Sequence, residues 1–116
     1  MKFFGISKDF SLVGEEQYNT IGKFWDDMAE IYGLENLCGL GYLWQNDTIS
    51  YAIGLKDGVV DGYNFSMELP DEGWTVVCGR TDDLKEIYDE IYLNGALKYE
   101  IEAFWDNGDC EIKFIR

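Results

Sequence analysis

The chain has 116 residues, 47% of them apolar, enough for one domain to build a core without staples. Its 23 acidic and 9 basic residues give a net charge of −14, and the basic residues are scattered from Lys2 to Arg116, so direct binding to nucleic acid or to an anionic membrane surface is disfavoured. There is no histidine, which excludes His-based triads, His general bases and His metal sites.

Phe3-Phe4-Gly5-Ile6 reads as a short strand. Between Asn19 and Tyr32, Ile21, Phe24, Trp25, Met28, Ile31 and Tyr32 recur at helical spacing, with Lys23, Asp26, Asp27 and Glu30 on the other face. Gly33 is the expected stop. Leu37 to Trp44 and Ile49 to Leu55 are strand-like runs around the turn residues Gln45-Asn46-Asp47-Thr48. Leu69-Pro70-Asp71-Glu72-Gly73 is a turn, and Trp74 to Cys78 a further strand. Thr81 is the expected N-cap of a second amphipathic helix carrying Leu84, Ile87, Tyr88 and Ile91, ended by Asn94-Gly95. Lys98 to Trp105 and Cys110 to Ile115 then form a hairpin around Asp106-Asn107-Gly108-Asp109.

The halves echo each other. Tyr42-Leu43-Trp44-Gln45-Asn46-Asp47 matches Ala103-Phe104-Trp105-Asp106-Asn107-Gly108, which points to an internal repeat spanning about 2–56 and 63–115. The expected fold is α+β: duplicated β-α-β-β units related by a pseudo-twofold, an antiparallel sheet with both helices on one face, and a cleft between the helices. The chain is expected to be a single domain, 1–116.

This order and these motifs resemble the gyrase-inhibitor-like (GyrI-like) effector-binding domain, a family also fused to AraC-type and MerR-type regulators. Ile21 to Met28 resembles its first helix with a central Trp, and Tyr51-Ala52-Ile53-Gly54-Leu55 its Y-x-v-G-v strand. Leu69-Pro70 through Gly73-Trp74-Thr75-Val76-Val77 resembles its iPaG-y-a-v-f segment. Glu102-Ala103-Phe104 followed by Glu111 to Ile115 resembles its terminal signature, with Phe104 where the family usually has Tyr. The resemblance implies a stand-alone member whose pocket acid is Glu102, set in an aromatic cleft between the repeats and facing bulky, often cationic ligands. Phe104 lies two residues on, on the same strand face, and Tyr51, Trp25 and Tyr88 are the expected walls.

The residues alone leave the role of Glu102 open. A two-residue Asn107-Gly108 loop pairs Glu102 with Lys113 as a surface ion pair; a three-residue loop with Gly108 left-handed pairs it with Ile112, beside the core. A three-residue loop in the first hairpin pairs Gly41 with Tyr51 and Gly39 with Ile53, so that the two glycines leave empty volume next to Tyr51.

The expected function is a cytoplasmic small-molecule-binding protein that senses or sequesters an amphipathic, cationic or aromatic ligand, without a cofactor, metal or catalytic residue. One alternative is an inhibitory module of the gyrase-inhibitor type, with a protein partner. Another is a hydrolase of strained-ring natural products, in which Glu102 acts as base on water with Glu100 or a tyrosine assisting. Cys38, Cys78 and Cys110 are dispersed, odd in number and in no CxxC pair, so they are expected to be free thiols serving as small core residues in a reducing cytosol. The apolar start MKFFGISKDF is too short for a signal peptide, and no run approaches the ~18 apolar residues of a membrane span.

Overall fold

The computed structural model describes residues 1–116. It is an α+β fold in which seven strands form one sheet and two helices pack on it. The strands are β1 (Lys2–Ser11), β2 (Leu37–Tyr42), β3 (Thr48–Leu55), β4 (Phe65–Glu68), β5 (Thr75–Arg80), β6 (Tyr99–Phe104) and β7 (Asp109–Ile115). The helices are α1 (Gln17–Tyr32) and α2 (Leu84–Leu93). Sheet order is β4-β1-β3-β2-β6-β7-β5, and every neighbouring pair is antiparallel.

Period dictates which face each element buries. Phe24, Trp25 and Met28 of α1 and Tyr88 and Ile91 of α2 join Tyr51, Ile53, Phe104, Ile112 and Phe114 of the sheet in one core of 14 buried residues. The reverse face of the sheet holds a smaller cluster, Phe3, Leu40, Ala52 and Leu69, against which Tyr42, Phe65, Trp74 and Tyr99 pack. Gly33 ends α1 as expected: its φ is 86°, and its N–H reaches the Ala29 carbonyl at 2.8 Å.

Three local expectations change. β1 runs on to Ser11 because Ile6–Ser11 pair with β3, although Lys8 and Asp9 interrupt its apolar pattern. β4, absent from the sequence reading, is an edge strand held only by Lys2–Gly5. Thr81 does not cap α2: Thr81–Asp83 make a 3₁₀ turn, and Asp83 at the N-cap position makes no side-chain capping bond. The cysteines also part ways, with Cys110 buried, Cys38 partly buried and Cys78 exposed on edge strand β5 rather than in the core.

Candidate functional site

The two hairpin registers put the site together. In the second hairpin the Trp105 N–H donates to the Asp109 carbonyl at 3.0 Å across a three-residue loop, and Gly108 takes φ 92°. That register opposes Glu102 to Ile112, not to Lys113. In the first hairpin Gly39 opposes Ile53 and Gly41 opposes Tyr51. At the seam between hairpins, Gly39 lies opposite Glu102 and Gly41 opposite Glu100. All these residues share the face that the helices cover, because partners across an antiparallel pair point the same way.

Both carboxylates are therefore core-facing, and Glu100 and Glu102 are only 4% and 5% exposed. The Tyr51 hydroxyl donates to Glu102 Oε1 and accepts from Trp25 Nε1–H at 2.8 Å, a relay that links β6, β3 and α1. The Tyr92 hydroxyl donates to Glu100 Oε2 at 3.1 Å from α2. Neither carboxylate has a Lys or Arg in an ion pair. Burial pushes the Glu100 carboxyl well above the usual carboxylate range, and the Glu102 charge beside it pushes it further. Glu102 is also raised by burial, and its bond from Tyr51 pulls it part of the way back. The Tyr88 hydroxyl faces the same carboxylate closely enough to favour its charged form, yet it is fully buried and outside hydrogen-bonding geometry with any partner.

Gly39 and Gly41 do not leave empty volume; neighbouring side chains take it up. A Cβ on Gly39 would collide with the Tyr51 hydroxyl and lie 2.8 Å from the Trp25 ring, and one on Gly41 would lie 2.8 Å from Glu100 Cγ. The glycines thus seat the polar groups of the site. The open space lies above them, in a cleft of about 710 Å³ between the two helices. The structure brings Trp25, Tyr51, Tyr88, Glu102 and Phe104 together on its walls. The Trp25 and Phe104 rings meet edge-to-face at 4.9 Å. Sequence reasoning missed Tyr92, Trp44 and Tyr18 as wall residues, and it gave Glu100 only an assisting role. Tyr92 continues the stripe of Tyr88 one turn further, a signal that was present in the helical spacing.

The lining includes Asp26, Asp82, Glu100 and Glu102 but no Lys or Arg. Arg80 and Lys85, next in sequence to lining residues, are exposed and paired with Asp109 and Asp89. Chemically this is a largely aromatic chamber with a carboxyl pair at its floor, whose protons burial holds more tightly than usual. It can accept a cation, or hold and release a proton. No family model, curated protein or solved structure matches the chain. No helix is long and apolar enough to cross a membrane.

Proposed function

We propose that this protein binds an amphipathic cationic or aromatic small molecule in the cleft between α1 and α2, as a cytoplasmic sensor or sequestering protein of the GyrI-like type. One observation carries the reading: two nearly buried carboxylates form the floor of an aromatic cleft that has no basic residue in its lining. A carboxylate removed from water is costly unless it is paired. A stable core of this size gains nothing from two of them side by side, whereas a ligand cation supplies the missing partner. Aromatic faces add roughly 0.5–2 kcal/mol each through cation–π contact. The duplicated β-α-β-β plan belongs to the same reading. Its support is the strand order, in which β1-β3-β2 and β6-β7-β5 run as mirror sequences of the two halves about the β2–β6 seam. A walled cleft favours a small ligand over the inhibitory protein-interaction reading, which calls for an open acidic face. The hydrolase reading has no observation of its own beyond the raised carboxyls.

The test is Glu102→Gln, which keeps shape and removes charge. Affinity for a cationic aromatic dye is expected to fall by about 1–3 kcal/mol, while a neutral aromatic of the same shape binds both proteins alike. Titration by fluorescence or calorimetry reads both. Equal binding of the cation by the two proteins takes Glu102 out of the site and the reading with it.

A further inference from the structure

Glu102 is one half of the floor, and Glu100 is built in the same way. Each carboxylate sits opposite a glycine of β2 that leaves room for its polar cluster: Gly39 for Glu102 with Tyr51, Gly41 for Glu100. Each accepts one tyrosine hydroxyl from a different element, Tyr51 of β3 or Tyr92 of α2. That uses Glu102 Oε1 and Glu100 Oε2. The other two oxygens, Glu102 Oε2 and Glu100 Oε1, make no hydrogen bond, and neither is among the polar atoms sealed away from solvent. Both residues are almost wholly buried and both line the cleft, so it is from the cleft that a ligand reaches these carboxylates. A third group belongs to the same floor: the Tyr88 hydroxyl, on a residue 5% exposed that also lines the cleft, faces Glu102, is itself sealed from solvent and makes no hydrogen bond.

We infer that Glu100 is a second cation-binding residue, and that the cleft takes a ligand carrying two cationic centres on an aromatic frame. The inference rests on the reading that Glu102 binds a cation, and it extends that reading to the substrate class. Two like charges in one dry site cannot both persist against a single positive charge, so one cation leaves a carboxyl that must keep its proton. Two cations allow both to ionise. Residues two apart on one strand face lie about 7 Å from each other, which sets the scale of the separation between the ligand's charges. The aromatic walls exclude a strongly hydrated metal ion in favour of organic ammonium or amidinium groups.

Ethidium and propidium share one phenanthridinium frame and carry one and two positive charges, and both brighten on burial. Fluorescence titrations at one ionic strength compare the wild type with Glu100→Gln, Glu102→Gln and, as a control for net charge, Glu72→Gln at an exposed turn position. The wild type is expected to prefer propidium by about 10-fold, the value of one added charge-assisted contact. Glu100→Gln is expected to bring the two dyes to within about 2-fold, while Glu72→Gln keeps the preference. A wild-type ratio near one, or a preference that survives Glu100→Gln, overturns the second subsite. If ethidium binding still depends on Glu102 in that case, the cation-binding reading stands without it. Failure of both dyes to bind overturns both.

Discussion

At the residue scale, the site is defined by what the glycines permit. Gly39 is needed because the Tyr51 hydroxyl and the Trp25 ring occupy the position of its missing Cβ. Gly39→Ala forces the Tyr51–Trp25–Glu102 relay apart, and neither ring has slack, since both are buried. Overpacking of this kind costs about 1–3 kcal/mol, to be read as a lower urea midpoint at unchanged slope. An unchanged midpoint would mean that the relay has room to shift around an added methyl group. In the sequence Glu102 stands out through the motif resemblance, while the loop at Gly108 leaves its register open between Lys113 and Ile112. Alternation along Lys98–Trp105 assigns the carboxylates to solvent, because hydrophobicity scoring places Tyr99, Ile101 and Ala103 inside. Only the left-handed glycine of a three-residue loop selects the opposite register. Two buried acids on one strand break the rule of local consistency, and such breaks concentrate at functional sites.

At the scale of elements, legibility followed pattern length. α1 and α2 carry long stripes at helical period, and both hairpins are flagged by turn chemistry, so the order of these elements could be read directly. β4 could not. Its Phe65-Ser66-Met67-Glu68 does alternate, with Phe65 and Met67 turned to the reverse-face cluster, but over four residues only, too short a run to stand out, and its pairing comes from the edge that β1 offers. The far half of β1 was hidden for a related reason: its pairing with β3 holds it extended where its own sequence is polar. α1 also carries a local flaw. Gly22 sits within the helix, and a Cβ there would meet nothing within 4 Å. Gly22→Ala is expected to stabilise the fold by about 0.5–1 kcal/mol, the opposite sign to the same change at Gly39. A thermal or urea melt checks it, and a loss of stability would place an unseen group against that side of the helix.

At the scale of the whole molecule, the carboxyl pair sets folding against charge. In the unfolded chain both acids titrate near the ordinary value of 4.5, while in the fold burial holds both higher. The titratable groups that face them do not supply a countercharge. Tyr51 from β3, Tyr88 and Tyr92 from α2 and Cys110 from β7 are all themselves pushed up by burial, and so stay neutral. Between the unfolded and the folded values, the native state therefore holds protons that the unfolded state has lost. Stability contributed by the pair is present at low pH and falls as pH rises through that window, by up to about 1.4 kcal/mol per pH unit for each proton. The net charge of −14 lowers stability in the same direction through general repulsion, so the comparison needs a protein that lacks only the pair. Glu100→Gln/Glu102→Gln provides one. Denaturant melts are expected to show the wild type losing ground to the double variant as pH rises above the ordinary carboxylate value of 4.5, with the two closest at the acid end. A difference that stays flat with pH would mean that the carboxyls keep ordinary values and are solvated. A bound organic cation reverses the sign. It favours the ionised pair, so binding tightens as pH rises and releases protons, which calorimetry in buffers of different ionisation enthalpy measures directly. The empty protein is thus held most firmly where it binds least, and it gains its missing charge partner from the ligand under the conditions in which the cleft by itself is most costly.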